Sequence, residues 1–206
     1  MKLYLYPGAC STAAHIALQW TDQPFEIEIM DFTRIRSPAF LAINPSGKVP
    51  VLVDGDYALN QSTAILGYIA DRFPRAGLFG DGGARERAEV TRWLMLGNSE
   101  MHPLFGTFFA PALSIEDPQQ HGALQAASRR RLRGLFEQVD AQLAGQRWIT
   151  GFRSAADAYH YVMLLWAQMH RIDLDGLERL LAFRERMDED AGVRQALRDE
   201  GLQAAA

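Results

Sequence analysis

The chain has 206 residues, of which 48% are hydrophobic and 22% charged, and its formal net charge at pH 7 is −4. This composition indicates a globular protein with a sizeable core, and the acidic balance argues against nucleic acid as a partner. The single cysteine excludes an internal disulfide framework and favours the cytoplasm. Residues 1–20 lack the arrangement of a signal peptide, and polar residues interrupt every long apolar run, so no membrane partner is expected.

The first part of the chain alternates between strand and helix patterns. The predicted elements are a strand at 2–6, a helix at 11–21, a strand at 25–30, a short helix near 38–42, strands at 49–53 and 57–59 joined by a hairpin turn at 54–56, and a helix at 61–73. This βαβ-ββα order predicts one parallel strand pair with a right-handed crossover and an antiparallel edge. Pro50 lies inside a strand pattern, and because X–Pro bonds are cis in only about 5% of cases, the sequence alone favours a trans Val49–Pro50 bond.

The second part of the chain has only helical periodicity. Glycines concentrate in a predicted linker at 77–84, and predicted helices follow at 85–109 (broken at Pro103), 117–143, 154–169, 173–186 and 191–200. Ser154 and Asp157 form a capping-box-like start for an apolar helix, and its apolar periodicity predicts a central place in the bundle. We therefore expect an α/β domain at 1–76 and an all-helical domain at 85–206.

Cys10 lies where the first strand gives way to the first predicted helix. The N-terminus of a helix carries unpaired N–H groups and about half a positive charge. That environment favours the reactive thiolate form, and Ser11 places a hydroxyl donor beside it. The alternative interpretation is that Cys10 is simply a small buried hydrophobic residue. Position along the chain does not decide between the two.

Four short motifs occur in order along the chain. They are Cys10-Ser11 after a strand, Asn-Pro-Ser-Gly-Lys-Val-Pro at 44–50, Gln-Ser-Thr-Ala-Ile at 61–65 and Ser-Ala-Ala-Asp at 154–157. Together they resemble a cytosolic glutathione transferase, and His15, His102 and Trp166 make the bacterial beta class the most similar. The resemblance covers nearly the whole chain. It implies a thioredoxin-like N-terminal domain with a mixed four-stranded sheet, followed by an all-helical bundle.

The resemblance also implies which residues hold glutathione. Val49, before a cis Pro50, would pair with the backbone of the glutathione cysteine, and Gln61 and Ser62 would meet the γ-glutamyl end at a helix N-terminus. The implied glutathione-binding residues are Cys10, Arg34, Arg36, Lys48, Val49, Pro50, Gln61 and Ser62. Alternative roles remain open, because Ser62 suits a helix cap and loop arginines suit solvent.

Catalysis is implied at Cys10, Ser11 and His102, which together would favour the ionised thiol of glutathione. Cys10 could also form a mixed disulfide with glutathione. The electrophile would bind between the two halves against Leu104, Phe105, Phe108, Phe109 and Trp166, although such a stripe equally suits bundle core. We interpret His15 as structural, with a hydrogen bond to the bundle through Trp166, and the resemblance implies a twofold homodimer.

Three functions therefore compete. The first is transfer of glutathione to small apolar electrophiles. The second is a glutathione-dependent dehalogenase, isomerase or disulfide reductase on the same site, and the third is a non-enzymatic glutathione-fold binding protein. No metal site is predicted, since His121, His160 and His170 lack metal-ligand spacing. The basic run at 129–133 is interpreted as a solvated helix face.

Overall fold

The computed structural model describes residues 1–202, and Gln203–Ala206, which we included in the predicted helical domain, lie outside the described residues. The first part of the chain folds as a strand-and-helix unit. Its elements are β1 (Lys2–Leu5), α1 (Ser11–Gln19), β2 (Glu26–Ile29), α2 (Pro38–Ile43), β3 (Val51–Asp54), β4 (Tyr57–Asn60) and α3 (Ser62–Arg72). The element types match the prediction throughout, while individual bounds differ by one or two residues.

The four strands form one mixed sheet in the order β2-β1-β3-β4. β1 pairs with β2 in parallel and with β3 antiparallel, so that Leu3 lies between Ile27 and Leu52. The β3–β4 hairpin turns at Gly55, whose φ of 64° lies in the left-handed region that glycine adopts without steric cost. The thioredoxin-like topology is confirmed. The Val49–Pro50 peptide is cis, as the family resemblance implies, and the trans form that base rates alone favour is wrong.

The second part of the chain is helical. Its elements are α4 (Ala84–Met95), a π-helical segment (Leu96–Met101), α5 (His102–Phe109), α6 (His121–Gln142), α7 (Ala155–Met169), α8 (Glu178–Glu189) and α9 (Ala191–Asp199). The predicted break at Pro103 takes the form of the π-helical segment, which ends one residue before α5. Proline has no N–H to donate to the preceding turn, so a local change in hydrogen bonding is expected there.

Two helices begin later in the chain than the sequence predicts. Asp117 does cap a helix, but it caps a single 3₁₀ turn at Pro118–Gln120, and α6 itself begins at His121. The helix expected at 173–186 begins later, at Glu178. By contrast, the capping box of α7 is present, with Ser154 and Asp157 satisfying each other's backbone N–H groups.

One apolar core joins the two parts of the chain. α1 packs against α3 on one side and against α7 and α9 on the other. The same buried cluster runs from Leu3 in β1 to Leu197 in α9. The connecting segment takes part as well, because Leu78 is buried and its carbonyl accepts the backbone N–H of Ala155 at 2.9 Å. Over residues 1–202, no helix is long and apolar enough to cross a bilayer.

Candidate active site

The loop between β1 and α1 places Cys10 at the N-cap position of α1. The backbone N–H of Ala9 donates to the carbonyl of Tyr6 at 3.0 Å, which closes a tight turn. Gly8 has a φ of 72° within this turn, a conformation that side-chain-bearing residues rarely adopt. The glycine is thus needed for the turn that places Cys10 beyond the carboxyl end of β1, an inner strand of the sheet.

Both polar backbone groups of Gly8 are bound by side chains of the helical bundle. Its N–H donates to the carboxylate of Glu200 at 2.9 Å, and its carbonyl accepts the indole N–H of Trp166 at 2.7 Å. The buried Glu200 carboxylate also accepts the Thr12 hydroxyl at 2.7 Å and lies 2.9 Å from Nδ1 of His15. The predicted link of His15 through Trp166 is wrong, because Trp166 turns to the loop while His15 reaches Glu200.

The thiol of Cys10 is half-buried and lies 3.9 Å from the carbonyl oxygen of Val49, to which it donates a weak hydrogen bond. Burial raises the pKa of the Cys10 thiol, and this effect outweighs the opposing hydrogen bonds from the Ser62 hydroxyl and the backbone at Cys10 and Ser11. The N–H groups at the helix N-terminus therefore favour the thiolate, as expected, but burial opposes them more strongly and the pKa of Cys10 is raised overall. Loss of hydration destabilises the Cys10 thiolate more than the helix N–H groups stabilise it.

The Ser11 hydroxyl is committed to the loop and not to the thiol. It is fully buried, accepts the backbone N–H of Tyr6 at 3.1 Å and donates to the carbonyl of the same residue at 3.2 Å. The Ser11 hydroxyl therefore both donates to and accepts from the backbone of Tyr6. This arrangement stabilises the turn that precedes Cys10.

The start of α3 lies beside Cys10. Gln61 is the N-cap residue, exposed, with a φ of 72° and no capping bond from its side chain. Strained backbone at a residue other than glycine is concentrated at binding sites, because the surrounding fold must enforce it. Ser62 is 5% exposed, and its hydroxyl lies close enough to the Cys10 thiol to lower the pKa of that thiol. Val49, Cys10 and the α3 N-terminus therefore meet at one place.

The basic residues predicted to bind glutathione are not equally available. Arg34 pairs with the carboxylate of Glu28 and donates to the carbonyl of Ile29 at 2.6 Å. Arg36 and Lys48 are exposed, and neither side chain has a hydrogen-bond or ion-pair partner among the described residues. Arg34 therefore holds its loop to the edge strand, and the two other side chains are the ones free to meet an anion.

His102 is half-buried at the start of α5 and hydrogen-bonds Tyr159, which sequence reasoning missed. Nδ1 of His102 lies 2.9 Å from the Tyr159 hydroxyl, which in turn donates to Oδ1 of Asn98 at 2.8 Å. Burial lowers the pKa of His102, so its imidazole is neutral at pH 7. Tyr159 also lies close enough to Ser62 and Cys10 for both to affect its pKa, which burial raises.

The predicted aromatic stripe divides between core and cleft. Leu104 and Phe105 belong to the core, with 7% and 0% of their surface exposed. Phe108 stacks on His170 with ring centroids 4.9 Å apart, and the 49%-exposed Phe109 packs edge-on against Trp166 and His170. A cavity of about 240 Å³ also opens beside Gly8. Its lining includes Gly8, Leu165, Trp166, Met169 and Leu202.

Comparisons with known proteins agree with this geometry. Residues 1–71 match the family model described as glutathione S-transferase, N-terminal domain. A curated glutathione S-transferase from Xanthomonas campestris is 45% identical over 203 residues, covering 98% of this chain and 100% of that protein. The solved structure of a glutathione S-transferase from Xylella fastidiosa superposes with a TM-score of 0.94 at 45% identity, covering 98% of this chain and 99% of that one. A sphingomonad glutathione S-transferase complexed with glutathione gives a TM-score of 0.86 at 38% identity, covering 98% and 100%.

Proposed function

We propose that this chain, which belongs to the glutathione S-transferase family, joins the thiol of glutathione to small apolar electrophiles. The observation that carries the proposal is the meeting of the Val49 carbonyl, the Cys10 thiol and the Ser62 hydroxyl at the N-termini of α1 and α3. Unpaired helix N–H groups and hydroxyl donors suit a peptide that carries a thiol and carboxylates.

Glutathione would lie along the edge of the sheet formed by these elements. The backbone of Val49 would pair with the cysteinyl residue, and the N–H groups and hydroxyl at Gln61 and Ser62 would bind the γ-glutamyl carboxylate. Arg36 and Lys48, both exposed, would pair with the glycyl carboxylate. The strained backbone of Gln61 supports this arrangement, since strain at a residue other than glycine is concentrated at binding sites.

The reaction needs the glutathione thiol to lose its proton near neutral pH. We assign that proton to Nε2 of His102, because burial keeps this imidazole neutral and able to accept it. The thiolate sulfur then forms a bond to the electrophilic carbon, the leaving group departs with the electron pair of the bond that breaks, and the imidazolium releases its proton to water. Ser11 would act only by shaping the loop.

The electrophile would bind against the exposed edge of the aromatic cluster. Phe108, Phe109 and Trp166 offer ring surface there, and His170 adds a polar edge. Such a wall favours flat, apolar molecules, since burying ring surface against ring surface is favourable without demanding a polar partner. Leu104 and Phe105 would support this wall from the core behind it.

A second activity, thiol–disulfide exchange, is favoured by the position of Cys10 at the proposed thiol site. Its thiolate would attack the glutathionyl sulfur of a mixed disulfide between glutathione and another thiol, forming a Cys10–glutathione disulfide and releasing the other thiol as thiolate. A second glutathione thiolate would then attack the glutathionyl sulfur bound to Cys10, forming glutathione disulfide and releasing the Cys10 thiolate. The chain has no other cysteine to do so. Protein mass after treatment with glutathione disulfide tests this step, and a Cys10→Ala variant is its control.

The primary experiment is a calorimetric titration of the protein with reduced glutathione. We expect saturable binding, at least tenfold weaker in Ser62→Ala because a charge-assisted hydrogen bond is worth about 1.5 to 3 kcal/mol. Thr63→Val is the matched control, since it removes, from the next residue of the same turn, a hydroxyl that has no hydrogen-bond partner among residues 1–202. No binding at saturating glutathione would contradict the proposal and favour the non-enzymatic interpretation.

We further propose that two copies of the chain pair through the face formed by α4, the π-helical segment, α5 and α6. Two neighbouring cavities, of about 390 and 360 Å³, share Ser99 and Glu100 on this face. Trp93 lines one of them with an indole N–H that has no partner among residues 1–202, and Met95 is 39% exposed beside it. Light scattering on the parent and on Met95→Glu would show a dimer and its loss. A monomeric parent would refute this pairing.

A cytoplasmic location fits the single cysteine.

A further inference from the structure

Tyr159 joins the proposed proton acceptor to a buried amide. Its side chain is 0% exposed, and its hydroxyl makes two hydrogen bonds, with Nδ1 of His102 at 2.9 Å and with Oδ1 of Asn98 at 2.8 Å. A phenol has one proton to donate. If that proton goes to the amide oxygen of Asn98, the hydroxyl can only accept from His102, and Nδ1 must carry the hydrogen.

A neutral imidazole carries a hydrogen on one nitrogen only. With Nδ1 protonated and pointing at Tyr159, Nε2 of His102 is left with a free lone pair. Nε2 also has no hydrogen-bond partner within residues 1–202. Nε2 of His102, which the proposed function needs as the proton acceptor, is thus the ring nitrogen that carries no hydrogen when Tyr159 binds Nδ1.

We propose that Tyr159 and Asn98 are positioning residues that fix His102 in its Nδ1–H tautomer, so that Nε2 is the proton acceptor for the glutathione thiol. The part of this proposal that concerns proton transfer rests on the proposed function. The part that concerns the tautomer rests only on the hydrogen bonds of the protein itself, and it can be measured without any substrate.

The packing around Tyr159 explains why its ring can reach this position. A Cβ atom built on Gly97 would lie 2.8 Å from Cδ1 of the Tyr159 ring, closer than real Cβ contacts. Glycine at this point of the π-helical segment therefore lets α7 approach closely. Asn98, the next residue, is brought to the hydroxyl by the same contact. The segment that accommodates Pro103 thus also presents the acceptor of the tyrosine proton.

The far side of Tyr159 faces the thiol site. The Ser62 hydroxyl lies close enough to both the Cys10 thiol and the Tyr159 hydroxyl to lower their pKa values, and charge on Cys10 raises the pKa of Tyr159. Tyr159 remains un-ionised at neutral pH, because burial raises its pKa. It can therefore donate a proton steadily to Asn98 while the thiol beside it changes charge. A group that ionised with the thiol could not hold the tautomer.

The test is the ¹⁵N spectrum of the imidazoles in the free full-length protein at pH 7.5. The chain has five histidines, and the His102 signals are assigned by their loss in His102→Gln. We expect a pyrrole-type shift for Nδ1 and a pyridine-type shift for Nε2 of His102. In Tyr159→Phe the Nε2–H form should gain population. An Nε2–H form already dominant in the parent protein would overturn the proposal.

Two further variants separate positioning from simple stability. Tyr161→Phe is the matched control, because it removes another tyrosine hydroxyl from α7, one that donates to Asp188 at 2.5 Å. It should leave the His102 spectrum unchanged. Asn98→Asp keeps an acceptor and should keep the Nδ1–H form. Loss of that form in Asn98→Asp, where residue 98 can only accept, would mean that donation from Tyr159 to residue 98 does not hold the tautomer, and would overturn the assignment even if Tyr159→Phe failed to fold.

Activity then tests the consequence. We expect Tyr159→Phe to lower kcat about 10- to 100-fold toward a chromogenic aryl halide while the Kd for glutathione changes less than about twofold, since only proton transfer is affected. An unchanged kcat would refute the catalytic role. A parent protein with the expected tautomer but no transfer activity would refute the proposed function and leave the positioning of His102 standing.

Discussion

Lowering the pH should remove a measurable part of the folding free energy through His160. This side chain is 1% exposed in α7, and Nε2 hydrogen-bonds the carbonyl of Trp93 at 2.9 Å, while Nδ1 has no partner in the described part of the chain. Burial lowers the pKa of His160 to about 4, compared with about 6.5 in an unfolded chain. The unfolded chain therefore binds this proton more readily than the folded chain.

The sign and size follow from linkage. The contribution of His160 to stability is complete above about pH 6.5 and is lost as the pH falls through the window from 6.5 to 4. At pH 5 the unfolded chain would be almost fully protonated at this site and the folded chain hardly at all, which costs about 2 kcal/mol. Asp157 opposes this trend, because burial raises its pKa to about 6, and its protonation favours the folded chain as the pH falls.

Comparing the parent and a His160 variant at two pH values separates the effect of His160 on stability from that of Asp157. Urea unfolding is measured at pH 7 and pH 5, at one protein concentration, for the parent and for His160→Gln. Asp157 and every other titrating group are present in both proteins and cancel in the comparison. We expect the stability advantage of the parent over the variant to shrink by about 2 kcal/mol at pH 5. An advantage that is the same at both pH values would refute the argument that burial keeps this imidazole neutral.

Two other predictions concern contacts that hold the helices in place. Glu200→Ala should lower the free energy of unfolding by about 3 to 5 kcal/mol and weaken glutathione binding, because it leaves His15 and the loop at Gly8 without their buried acceptor. Equal urea midpoints for the parent and the variant would contradict this. Gly97→Ala should cost about 1 to 3 kcal/mol through its clash with Tyr159. Gly106→Ala in α5, where a Cβ meets nothing within 4 Å, should instead stabilise by about 0.5 to 1 kcal/mol, and thermal unfolding of both variants checks the contrast.

The features that sequence predicts well here are those whose partners lie close along the chain. The capping box joins Ser154 to Asp157 within one helical turn, so its hydrogen bonds are implied by residue type and spacing alone. The strand pattern and the Gly55 turn are local in the same sense. Topology then follows, since a strand–helix–strand unit and a tight hairpin leave few ways to order four strands.

The site was predicted only in part, because its decisive contacts span long stretches of chain. Tyr159 lies 57 residues from His102 and 61 from Asn98, on a helix whose pattern indicates nothing but core. Glu200 reaches Gly8 across 192 residues from a helix with many charged side chains. The sign of the Cys10 pKa shift is a competition between burial and helix N–H groups, and sequence reveals the second but not the first.

The shape of the thiol site is therefore a property of the bundle as much as of the sheet. The loop that carries Cys10 has both polar groups of Gly8 bound by bundle side chains, Glu200 and Trp166. The proposed proton acceptor is held by Tyr159, also from the bundle. Because none of these three side chains needs to touch glutathione to act, substitutions in α7 or beyond α9 can alter the position and protonation of the reacting groups. Variation in activity among proteins of this fold can then arise from residues outside the ligand's contact surface.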